Sequence, residues 1–301
     1  MSMLRKTSEK TKGVLALLFL SAVYAGTGVV TRYLDSYFTL FQQIYIRTFL
    51  AFILGMVFFR KSLNWNKLRK ISTAEWFLII ARTAASFVFG ATLWVKATTI
   101  TKLANVTFID ALPITAALSF LFLREKVTVK KVFYLMLSFV GVIILSVKDY
   151  SQILTVGFGE LLVLISGFFF AFRNISRTWH TKLLNDQEIT QLMFIIGFLM
   201  LFILSFFFKE TIVLPQPHPE LLLMILLGGC IMILNIFLTN YGFAHVPAVL
   251  GNNILNLEAA FGMLFGYLFY REISTIMELV GGVLIIFSVI KMNQLDKSEK
   301  K

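Results

Sequence analysis

The sequence predicts an all-α integral membrane protein with ten transmembrane helices, arranged as two inverted five-helix repeats. Three observations predict it. Hydrophobic residues make up 58% of the 301 positions, with a mean hydropathy of +0.82. Apolar runs long enough to cross a bilayer recur along the whole chain. The two halves also resemble one another when the chain is slid against itself by 147 positions.

A span needs about 20 apolar residues at ~1.5 Å rise each. Ten runs meet this requirement: 13–33, 40–59, 75–95, 103–123, 132–147, 157–176, 189–208, 220–240, 248–270 and 274–290. The first lacks a small-residue cleavage site, so it reads as a retained span rather than a signal peptide. Trp76 and Trp94 would stand ~27 Å apart along the third, a spacing that suits rings anchored at the two interfaces. An even number of spans puts both termini on one side. With that side cytoplasmic, the inner segments hold 19 Lys and Arg and the outer loops five, including Lys102 and Lys148. The positive-inside rule selects this orientation and a cell-membrane location, and topology accounts for the net charge of +12.

Composition also excludes functions. No polar stretch is long enough for a soluble catalytic or nucleotide-binding domain, and no Walker motif occurs. The basic residues are not interleaved with aromatics, so nucleic acid is not a partner. Cys230 lies within an apolar run and reads as a small buried hydrophobe; it has no second cysteine to pair with. His180, His218 and His245 lack partners at metal-ligand spacing, and no metal or other cofactor is expected. An intramembrane enzyme would need a clustered base and nucleophile, which the spans do not supply. A non-transporting scaffold subunit stays open at this level, as does homo-oligomer formation.

The offset of 147 sets 103–128 over 250–275 with seven of 26 positions identical, among them Asn105/Asn252, Arg124/Arg271 and Glu125/Glu272. Two five-helix units, 13–147 and 157–290, follow from the match. Five is odd, so the second unit enters the bilayer from the opposite face, an arrangement used by secondary transporters. The paired helix endings LFLRE and LFYRE precede the glycine-bearing VGVIIL and VGGVLII, and WVKATTITKLAN matches YGFAHVPAVLGN. In these features the chain resembles the EamA domain of the drug/metabolite transporter superfamily. The resemblance implies two EamA repeats around a central cavity that carries small metabolites without ATP hydrolysis. It also implies that Arg47 in IYIRTFLAF and Arg82 in IIARTAASF match arginines of the family's second and third helices. Glu258 falls where many members have a Glu-Pro pair. Ala259 stands in place of that proline, which removes the usual cause of a kink, whereas the first half keeps Pro113.

Charged and amide side chains within spans face a partner or a cavity, because an ionised group in lipid costs at least ~2.5 kcal/mol. Arg32, Arg47, Arg82 and Arg173 lie within spans, against the two deep carboxylates Asp110 and Glu258. An interior with that excess of cations favours a carboxylate- or phosphate-bearing substrate. Arg32 and Arg173 are close enough to span ends to snorkel. Arg47 and Asp110 fall at matching depths of ~18 and ~20 Å, which predicts an ion pair between them. Asn252 and Asn256 share a helical face, open to either interhelical bonding or cavity contacts. Glu258 falls ~200° from Asn256 around the helix, on another face, and reads as a proton- or substrate-binding group or a buried structural carboxylate. Tyr24, Thr27 and Thr31 share a face of the first span, for packing or for lining a cavity. Gly262 and Gly266, four apart, read as a point of close helix packing. The function expected is secondary transport of a small polar metabolite, such as an amino acid or derivative. A nucleotide-like metabolite such as S-adenosylmethionine is the alternative.

Overall fold

In the computed structural model the described residues are 2–101, 103–126, 128–146, 157–271 and 275–298. Lys102, Lys148, Glu272, Lys300 and Lys301 lie outside the described residues. The helices run in order as α1 (Ser2–Asp35), α2 (Leu40–Phe58), a 3-10 turn (Trp65–Lys70) and α3 (Thr73–Thr83). A π-helical stretch (Ala84–Ala91) joins α3 to α4 (Thr92–Ile100), and α5 (Leu103–Asp110), α6 (Ile114–Phe122) and α7 (Val129–Ser146) complete the first half. The second half holds α8 (Phe158–Ser176), α9 (Asp186–Phe207), α10 (Pro219–His245), α11 (Ala248–Leu255), α12 (Leu257–Tyr270) and α13 (Ile276–Ser298). Among the described residues, eight helical segments are long and apolar enough to cross a membrane, which makes this a multi-pass membrane protein.

Two of the apolar runs are broken helices. The fourth breaks at 111–113, where Pro113 caps α6. Proline lacks the N–H that would continue α5 and disfavours helical backbone in the residue before it. The ninth breaks at Asn256 without any proline. There the Asn256 amide is drawn sideways to donate to Ser138 Oγ of α7 at 3.0 Å, and the Ala259 N–H closes on the Asn256 carbonyl at 3.3 Å. Without the proline the interruption is confined to this one residue, whose backbone stays right-handed helical at φ −60° and ψ −15°.

Lys10 meets Asp296, so both termini lie at one end of the bundle. At that end Glu125, just past α6, accepts the N–H groups of Ala248 and Val249 at 2.8 and 3.4 Å, capping the start of α11. At the opposite end Glu210 accepts the Phe41 N–H and the Thr39 hydroxyl at 3.0 and 2.8 Å, holding the start of α2. Small residues permit a close backbone approach between α7 and α13, where a Cβ on Gly141 would come within 2.8 Å of the Gly281 carbonyl. Gly262 has no neighbour within 4 Å of where its Cβ would be, so the expected packing point there is not formed.

Candidate functional site

A cavity of about 170 Å³ lies in the middle of the bundle, walled by helices from both halves. From α1 it takes Tyr24, Thr27 and Thr31, and from α2 Arg47. The shared face of α1 read from the sequence is therefore a cavity face. Both helix breaks open onto the same space: Asp110 is the last residue of α5, and Asn252, Asn256 and Glu258 flank the break between α11 and α12. The sequence placed Glu258 on a different face from the asparagines. Glu258 lies about 120° from Asn252 on a helix, and the cavity is wide enough in arc to take in all three.

Arg47 is 4% exposed and lies against Gly228, where a Cβ would come within 2.7 Å of its stem. Its Nε donates to the Gln43 carbonyl at 2.9 Å, Nη1 to Thr31 Oγ1 at 3.1 Å and Nη2 to Gln43 Oε1 at 3.5 Å. Asp110 accepts from Trp94 Nε1 at 2.8 Å. The predicted Arg47–Asp110 ion pair is not formed, because matching depth says nothing about which way two helices face. Trp94 is accordingly a cavity residue.

Arg82 also departs from expectation. It is fully buried, but it lies outside the cavity. Its Nε and Nη2 donate to the Arg173 carbonyl at 3.3 and 3.1 Å, Nη2 donates to Asn240 Oδ1 at 2.8 Å, and Nη1 meets His180 Nε2 at 2.8 Å. An arginine has only donors, so His180 Nε2 must be the acceptor. The imidazole proton then sits on Nδ1, which donates to Glu75 Oε1 at 2.7 Å. Burial and the adjacent Arg82 charge push the His180 imidazole well below its ordinary range, in keeping with this neutral tautomer.

Arg173 is the main residue that sequence reasoning missed. It does not snorkel. It is 4% exposed and points into the cavity, its guanidinium 4.8 Å from the Phe170 ring centre, with Nε donating to Asn174 at 3.2 Å and Nη2 to the Tyr24 hydroxyl at 3.3 Å. The run Gly167, Phe170, Arg173, Asn174 has helical spacing, and that stripe carried the signal. Ser86 was missed as well. The π-helical stretch turns it into the cavity, where it is 2% exposed and its hydroxyl has no hydrogen-bond partner among the described residues. Arg32, by contrast, is exposed near the end of α1 as expected.

The cavity therefore holds two arginines and two carboxylates, where four arginines in the spans had suggested an excess of positive charge. Asp110 and Glu258 line the same cavity. Among the described residues none of these four is paired with an opposite charge; Arg47 and Arg173 bond only to neutral groups. The described residues also contain no group of three His, Cys, Asp or Glu side chains that could hold a metal ion.

No curated protein matches the chain. A solved structure described as "Crystal structure of protein" matches with a TM-score of 0.76 at 10% identity, covering 94% of this chain and 98% of its own, a likeness of fold. The model of the EamA-like transporter family matches residues 11–147 and again 157–294. With nearly its whole length matched and helices fit to cross a bilayer, the chain belongs to the EamA-like transporter family, and it is a secondary transporter rather than an enzyme.

Proposed function

We propose that the central cavity carries a small zwitterionic metabolite, an amino acid or close derivative, by alternating access. The observation that supports this most is the unpaired set of opposite charges around one space. Arg47 and Arg173 are buried without an opposite charge beside them, which is costly, and Asp110 and Glu258 on the same cavity are unneutralised too. A cargo with both a carboxylate and an ammonium group relieves both signs at once. A cavity of about 170 Å³ suits that size better than a nucleoside derivative. Tyr24, Thr27, Asn252 and Asn256 would supply neutral hydrogen bonds, and Glu258 would exchange a coupling proton. Arg82 serves the scaffold.

The carrier in this reading has ten spans in two inverted units, 13–147 and 157–290, with α5–α6 and α7 as the fourth and fifth spans. Both termini are cytoplasmic and the protein resides in the cell membrane. The repeat has backbone support: Arg124 and Arg271, equivalent under the 147-residue offset, both leave their helices in the left-handed region, at φ 53° and 54°. The test is uptake into liposomes of a labelled panel of amino acids, their decarboxylated amines, their deaminated acids and S-adenosylmethionine. Uptake of the zwitterions alone is expected. Preference for the amines, the acids or the nucleoside would replace the cargo assignment. Glu258→Gln should abolish pH-driven uptake and spare exchange, while equal loss of both modes would give Glu258 a role other than proton carrier.

A further inference from the structure

The segment joining α2 to α3 is a strap laid across the end of the bundle that carries the termini, over the start of α9. In a 3-10 helix side chains three apart eclipse, so Trp65–Lys70 and the residue after it sort into rows. Trp65, Leu68 and Ile71 form one row and pack against the core. Lys67 pairs with Glu188 at 2.9 Å, while Lys70, one turn on in the same row, and Arg69 are exposed. The Asn64 N–H donates to Glu188 at 2.9 Å and the Asn185 amide to the Ser62 carbonyl at 2.7 Å, which fixes the strap on α9. Just before it, Arg60 and Lys61 are exposed in a turn closed by the Ser62 N–H on the Phe59 carbonyl at 2.7 Å.

Arg60, Lys61, Arg69 and Lys70 are thus four exposed cations of one connecting segment with no hydrogen-bond or ion-pair partner among the described residues, and residues 59–74 contain no Asp or Glu. The neighbouring acids are engaged, Glu188 by Lys67 and Glu75 by His180 and Thr181. Below them, on the two helices the strap joins, Val57, Phe58 and Phe77 are 62%, 66% and 74% exposed. Unpaired cations directly above outward-facing apolar side chains match one kind of partner, an anionic head on an acyl chain. We propose that the strap binds anionic phospholipid headgroups through Arg60, Lys61, Arg69 and Lys70, tying the position of α9 to the composition of that leaflet. Charge count alone directs insertion. A rigid strap that holds four cations apart from every acid goes further and makes a site.

The experiment uses the purified full chain in neutral detergent, titrated with phosphatidylglycerol or phosphatidylcholine, with retained lipid counted by native mass spectrometry. The expected result is preferential retention of phosphatidylglycerol, which the quadruple variant Arg60→Gln, Lys61→Gln, Arg69→Gln, Lys70→Gln weakens at least tenfold, since each basic residue contributes about fivefold. A control with the same net charge, Lys126→Gln, Lys130→Gln, Lys182→Gln, Lys291→Gln, should keep the preference. Equal losses in the two variants would reduce the effect to bulk charge and overturn the site. So would retention of soluble glycerol phosphate as strong as that of the lipid.

Discussion

Arg82 and Arg173 are both deep, both charged, and joined through the Arg173 carbonyl, yet only Arg173 reaches the cavity. Position along the chain gives a residue's depth in the bilayer. It does not give the direction of the side chain, which for Arg82 is set by three acceptors on α8, α10 and the turn after α8. The neutral His180 in this network has a consequence for stability. An unfolded imidazole takes up its proton near pH 6.5, while burial and Arg82 hold the folded one below that. Between those two values the unfolded chain binds more protons, so stability rises with pH there: it is fully present above the unfolded value and is lost as pH falls through the window. The melting temperature should therefore drop as pH is lowered below about 6.5. In His180→Gln, whose amide keeps one acceptor for Arg82 and one donor for Glu75, the drop should shrink. An identical pH profile in the two proteins would show that His180 is not the group responsible.

Among the elements, the informative ones are those that are irregular. Both deep carboxylates sit at helix interruptions, Asp110 as the last residue of α5 and Glu258 in the first turn of α12. The proline that causes the first break is visible in the sequence. At the second interruption the Asn256 amide meets Ser138, 118 residues away in the chain, a contact that could not be read from the local segment. Glycine spacing misleads for the same reason, since it marks where a close approach is allowed without saying whether a partner arrives. Gly141→Val should cost about 1–3 kcal/mol through overpacking against α13. Gly262→Ala should be neutral or stabilise by up to ~1 kcal/mol, because alanine is the better helix former and meets nothing there. Chemical denaturation in detergent would measure both, and a destabilising Gly262→Ala would restore that glycine as a packing point.

At the scale of the molecule, the ionic and amide contacts cluster at the two ends of the bundle, with the cavity between them. Lys10–Asp296, Lys67–Glu188 and Arg177–Asp186 hold the end with the termini, while Glu210 and Glu160 gather polar groups at the other. The orientation proposed for this bundle makes a direct prediction. In a Cys230→Ser background, a cysteine replacing Ser36 should react with an impermeant thiol reagent added to intact cells, and one replacing Asn64 should not. Labelling at Asn64 would invert the orientation and move the lipid site to the other leaflet.

Apolar run lengths and motif resemblance were enough to read a helical membrane protein similar to the EamA transporters from the chain alone. The same reading marked Tyr24, Thr27, Arg47, Asp110, Asn252, Asn256 and Glu258 as polar groups that avoid lipid, without separating those that line a cavity from those that pack between helices. These follow from transfer free energy: apolar length fixes what spans, and the cost of a polar group in lipid fixes what turns inward. Only the tertiary structure decided which inward groups share a space. It removed Arg82 from the cavity, added Arg173 and Ser86, separated Arg47 from Asp110, and set Glu258 on one cavity with the asparagines. The reason is geometric. Sequence spacing fixes azimuth only along an unbroken α-helix, and this cavity is built where helices break, widen into a π turn or cross a partner from the other half of the chain.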